Sequence, residues 1–177
     1  MTLLDIITYP DPLLGQPSED VTDFGEETQQ LIENMAETMF DAPGAGLAAV
    51  QVGVSKRIIV VNTTRSSEED DENEEEIEKT WYALINPKII EQSGSFLSEK
   101  EGCLSVPELR GNVKRFSWVK VEAQDRDGKA ITLEAEDFHA VVLQHETDHL
   151  NGRLFFEHLS ALKRNLYKKK IQKLMNK

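Results

Sequence analysis

The sequence predicts an α+β fold of a single domain, with antiparallel sheets around a central metal-binding helix and further helices toward both ends. Three observations carry that expectation. Phe138, Val141, Val142, His145 and His149 form one stripe at i, i+3, i+4 spacing, the mark of a helix with a buried face. Apolar runs at 57–62, 81–86 and 117–124 read as strands, the last followed by turn residues and a further run at 131–135. The length, 177 residues, suits one core, so the chain is expected to be one catalytic domain over 1–177.

Taken in order, residues 3–14 include Tyr9-Pro10-Asp11-Pro12, whose prolines forbid a continuous helix and favour an extended segment laid against the body. Thr22 or Asp23 is placed to cap a first helix that turns Phe24, Thr28, Leu31, Ile32, Met35 and Met39 inward and stops at Pro43 and Gly44. Small residues at 44–46, 48 and 49 then let the backbone approach another element or a ligand, and Gln51 ends this stretch with an amide donor. Neither a P-loop lysine nor a full dinucleotide fingerprint is present, which removes a nucleotide loop. The strand at 81–86 is closed by Pro87, and Asp125-Arg126-Asp127-Gly128 turns the hairpin between 117–124 and 131–135. A helix over 137–150 ends at Asn151-Gly152, a pair suited to a left-handed stop. Ser160 caps a last, basic helix over 160–177, with Leu162, Leu166, Ile171 and Leu174 as the residues available for burial.

Charge is segregated along a chain of net −12: residues 66–80 hold nine carboxylates and one lysine, whereas 163–177 hold seven basic residues and no acid. The first run reads as a solvated, flexible insert between strands, the second as a lysine-rich helix face. No apolar run approaches the roughly 20 residues that cross a bilayer, so a cytoplasmic protein without a membrane partner is expected. Cys103 is the single cysteine, which excludes an internal disulfide.

The chemistry centres on His145-Glu146-Thr147-Asp148-His149. Histidines four residues apart share a helix face and reach one cation, with Glu146 at the edge of the site, a pattern that suggests metal-assisted hydrolysis. The competing reading is a pair of core histidines satisfied by hydrogen bonds. Two imidazoles leave a catalytic metal short of protein ligands. Cys103, beside Gly102, is the best-placed third donor; a small buried hydrophobe is the alternative.

Three segments together, GAGLAAVQ at 44–51, EGCLSVP at 101–107 and QHETDHLNG at 144–152, resemble the three signature motifs of the peptide deformylases in order and spacing. The resemblance implies removal of the formyl group from the N-terminal formylmethionine of nascent polypeptides. It implies that Cys103, His145 and His149 hold one divalent ion, Fe(2+) in the family, with water or hydroxide in the fourth position; zinc, nickel and cobalt accept the same donors. Glu146 would act as general base and then general acid. Gln51 and the Leu104 backbone N–H would stabilise the oxyanion, Gly46 and Arg110 would align the peptide, and Phe138, Val141 and Val142 would line the methionine pocket. Ala45 stands where the family more often has a branched aliphatic residue, and Glu99 where the position is often apolar. The basic helix, through Lys168, Lys169 and Lys170, would dock on the ribosome; no specific DNA binding is implied.

Overall fold

A computed structural model describes residues 2–64 and 78–177. The acidic run lies, over 66–77, outside the described residues. The elements in chain order are α1 (Glu26–Asp41), β1 (Gly46–Ala48), β2 (Ile58–Asn62), β3 (Trp81–Ser93), β4 (Phe96–Cys103), β5 (Val106–Arg115), β6 (Trp118–Gln124), β7 (Ala130–Glu136), α2 (Asp137–Leu150) and α3 (Ala161–Met175). β1-β2-β3-β6-β7 form one antiparallel sheet in that order, and β4-β5 a separate two-stranded one.

β2 shows why the sheet sits where it does. Its sequence is Ile-Ile-Val-Val-Asn and every residue is buried. Ile59 and Val61 pack with Leu84, Val119 and Val121 against Val142, Leu143 and Leu150 of α2, whereas Ile58 and Val60 face Ile32, Met35 and Met39 of α1. A strand covered on both faces reads as an unbroken apolar run, and each such side chain stabilises the fold by about 1.5–3 kcal/mol. β6, covered on one face only, alternates instead: Val119, Val121 and Ala123 are buried between more exposed neighbours. α2 lies against β1, β2, β3 and β7, so its polar residues are carried into the interior together with its apolar ones.

The extended N-terminal segment is tied down by two backbone bonds, from Ile7 N to the Gln51 carbonyl and from Tyr9 N to the Ser105 carbonyl, both 2.8 Å. Gly152, at φ +74, provides the left-handed stop after α2; a Cβ there would also come within 2.8 Å of the Gly15 backbone.

The structure departs from the sequence expectations at several points. α1 begins at Glu26 with Gly25 as its cap, because Asp23 Oδ1 is used by the Gly25 N–H and the Asp23 carbonyl by Thr28 Oγ1. Pro87 does not close β3: the strand runs on to Ser93, and a register shift between Ile85 and Lys88 takes the proline through a bulge, where a missing N–H is tolerated. Ser160 Oγ does cap α3, accepting from Lys163 N. Its leucines, however, face outward: Leu162, Leu166 and Leu174 are exposed, while Tyr167 is buried and Ile171 partly so. A ring cluster explains the choice, since Tyr167 packs on Tyr9 and Phe156 and its hydroxyl donates to the Pro107 carbonyl at 3.2 Å.

Candidate active site

β4 and α2 bring the site together. The turn at Leu104 and Ser105 pairs Cys103 with Val106, which leaves the Cys103 side chain at the end of β4 above α2. One ligand atom each from Cys103, His145 and His149 lies within 4.8 Å of the others, and Cys103 Sγ is 3.3 Å from His149 Nε2. One thiolate and two imidazoles suit a divalent transition metal and leave a coordination position open.

The groups around the triad fit such an ion. His145 Nδ1 is held by Glu101 Oε1 at 2.8 Å, so its other ring nitrogen is left for a metal. Burial opposes charge on His145, but hydrogen bonds to Cys103 and Glu101 reverse this and raise its pKa well above the usual histidine range. His149 goes the opposite way: burial, then the neighbouring His145, hold it well below that range, as the neutral form a metal ligand needs. Two buried polar atoms here, Glu146 Oε2 and His149 Nδ1, find no partner among the described residues.

Glu146 is almost fully buried, and burial pushes its carboxyl up to about 7. Gly46 lies directly against it; a Cβ at that position would come within 2.8 Å of Glu146 Cγ and Oε1 and 3.0 Å of Val142 Cγ1. The close backbone approach read from the small residues of 44–49 is therefore made on the face of α2. Gln51 is buried, with Oε1 accepting from Ala48 N at 2.9 Å and Nε2 donating to Ser105 Oγ at 3.1 Å and lying 3.6 Å from Cys103 Sγ.

A cavity of about 70 Å³ collects nearly all the expected residues: Gly46, Gln51, Cys103, Leu104, Phe138, Val141, Val142, His145 and Glu146 line it, with Ala45. Arg110 stands apart from that cavity. It lines an adjoining groove of about 350 Å³ together with Ala45, Leu104 and Glu108, and its guanidinium lies over Gly102, where a Cβ would be 2.7 Å from Arg110 Cζ. A larger cavity, about 1000 Å³ between β3 and β7, holds none of these groups.

Sequence reasoning missed the network beneath the triad. Arg115 Nε donates to Glu101 Oε2 at 3.2 Å, and Arg115 Nη1 donates to Asp148 Oδ2 at 2.8 Å, which His158 Nε2 also reaches at 3.0 Å. Burial would raise the Glu101 pKa, but the hydrogen bonds from His145 and Arg115 outweigh it and hold the carboxyl at about 2. Glu101 and Asp148 sat inside the quoted motifs, and the need of a ligating histidine for an acceptor on its second nitrogen was the available signal. Arg115, far along the next strand, gave none.

The α+β fold and this donor set define a hydrolase centre of the metal-dependent kind. The polypeptide deformylase family model matches residues 3–165. A peptide deformylase of Desulfotalea psychrophila is 51% identical over 98% of this chain and 97% of its own length, and peptide deformylase 3 of Shewanella oneidensis is 44% identical over 98% and 99%. Crystal structures of peptide deformylases from Legionella pneumophila and, in complex with actinonin, from Ehrlichia chaffeensis superpose with TM-scores of 0.85 at 38% and 40% identity. They cover 99% and 98% of this chain, and 96% and 98% of their own. The chain belongs to the polypeptide deformylase family, hydrolases that remove the N-terminal formyl group from nascent peptides. Among the described residues no helix is long and apolar enough to cross a membrane.

Proposed function

We propose that Cys103, His145 and His149 hold one ferrous ion, and that Glu146 moves the protons of formyl hydrolysis beside it. The observation that carries this is the convergence of three donor atoms within 4.8 Å next to a buried carboxyl oxygen that has no partner among the described residues. A divalent ion in that place supplies Lewis acidity to water and to the formyl oxygen. Glu146 Oε2 takes the water proton and returns it to the departing amine, a task suited to a carboxyl near 7. The Gln51 amide and the Leu104 N–H stabilise the developing oxyanion, each donor being worth about 3 kcal/mol. Gly46 lets the peptide lie close to Glu146, Arg110 holds its continuation in the adjoining groove, and Phe138, Val141 and Val142 receive the methionine side chain. Ala45 widens this pocket relative to a branched residue.

The test is formate release from a short N-formylmethionyl peptide by anaerobically purified protein of measured metal content. Glu146→Gln is expected to keep metal and fold while losing turnover by orders of magnitude. Wild-type turnover in that variant sinks the reading.

We further propose that α3 docks on the ribosome through its outward face, where exposed Leu162 and Leu166 lie among Lys169 and Lys173. Of the three lysines expected to dock, Lys169 lies on this face, Lys168 instead lines a cleft with Arg153 and Arg164, and Lys170 is held by Glu108 at 2.8 Å. Deleting residues 163–177 is expected to leave short-peptide turnover largely intact and to weaken salt-sensitive ribosome binding. Binding that persists at every salt concentration rejects the assignment.

A further inference from the structure

The geometry points to a phosphate-binding site, separate from the catalytic centre, in the cleft where α3 meets the segment after α2. The cleft, about 440 Å³, is lined by Arg153, His158, Arg164 and Lys168 over the rings of Tyr9 and Phe156, with Glu157 as the one carboxylate in its lining. In a chain of net −12 this is a local reversal of charge: three permanent cations and one carboxylate leave +2.

These cations are also unengaged. Some basic side chains elsewhere are taken up by carboxylates: Lys56 by Glu19, Arg126 by Glu33 and Lys170 by Glu108. Among the described residues, no hydrogen bond or ion pair holds the side chains of Arg153, Arg164 or Lys168. His158 is fixed to the wall of the cleft by Asp148, itself anchored by Arg115. Like charges gathered in one cleft repel, and a bound anion removes that cost. A phosphate dianion matches the net charge, and guanidinium forks match its oxygens better than they match any single acceptor.

Helical spacing separates this site from the surface assigned above to the ribosome. Arg164 and Lys168, four residues apart, flank the buried Tyr167 on one side, whereas Leu162, Leu166, Lys169 and Lys173 form the outward face. The inference therefore stands without the ribosome reading.

Calorimetry on the full-length, metal-loaded protein at fixed low ionic strength tests it, titrating inorganic phosphate, pyrophosphate, an oligouridylate and, as control, chloride. Saturable one-to-one phosphate binding is expected, weakened at least about tenfold in the double variant Arg164→Gln, Lys168→Gln, the loss of at least one charge-assisted hydrogen bond. Circular dichroism and formate release of that variant should match wild type. Should it misfold, Arg153→Gln replaces it with the same expectation. Tighter binding of pyrophosphate than of the oligonucleotide identifies a small phosphate ligand, and the reverse a nucleic-acid backbone; either supports the site. Phosphate binding that is unchanged in the variants, or no more saturable than chloride, overturns it.

Discussion

α2 and α3 are helices of nearly equal length, 14 and 15 residues, with opposite fates. α2 carries the polar string His-Glu-Thr-Asp-His, and ten of its residues are buried; α3 carries four leucines and isoleucines, yet only Tyr167 is fully buried. Average polarity already makes α2 the less polar helix, but it does not account for the burial of Gln144, His145, Glu146, Thr147 and His149. What decides is the surroundings: the sheet wraps α2, and Glu101, Arg115 and the Phe116 backbone satisfy its polar side chains, whereas the start of β5 and the ring cluster offer α3 a contact made by Tyr167, with Ile171 partly beneath it. A buried polar helix is stable when its partners are built in, and an apolar stripe stays outside when nothing covers it.

That contrast can be broken most severely at the network under α2. Arg115→Met leaves the Glu101 and Asp148 carboxylates without their buried cation and should cost about 3–5 kcal/mol, read as a lower urea midpoint at unchanged slope. A loss under about 1 kcal/mol would mean α2 does not depend on this pair. Next comes packing: Leu143, fully buried on α2, should lose about 2–5 kcal/mol on replacement by alanine. The matched change on α3, Leu162→Ala at 69% exposure, should stay within about 0.5 kcal/mol, so equal losses at the two positions would erase the distinction.

A finer probe is alkaline pH. Burial raises the Tyr167 phenol to about 12, so folding favours its neutral form. The stabilisation is present below the ordinary tyrosine pKa of about 10 and is lost as pH rises through about 12. α3 should therefore loosen across that interval, and Tyr167→Phe should flatten that part of the stability profile. An unaltered profile in the variant would place the alkaline transition elsewhere, with Tyr82, also raised to about 12 by burial, as the next group to examine.

Much of the site was legible before any coordinates, because its chemistry is written at fixed spacings. His145 and His149 share a helix face by periodicity alone, and Gly46 announced a close approach by its missing side chain. The run at 58–61 likewise announced a buried strand. The β4-β5 sheet was not legible, since Phe96–Cys103 alternates poorly, with Phe96 and Leu97 exposed and Glu101 buried against Arg115 of the partner strand. Nor were the partners of α3, which depend on where Tyr9 arrives from the other end of the chain and on how the turn before α3 sets Phe156.

The sequence by itself determined the helix that carries the donors, the strands flanking it and the family to which the chain is similar, since these follow from local periodicity and contiguous motifs. Only the tertiary structure decided that Cys103 meets two imidazoles more than forty residues away, that Arg115 bridges Glu101 to Asp148, and which side of α3 turns inward. Those contacts depend on register shifts and chain returns across the whole domain, and no local pattern of residue types encodes them.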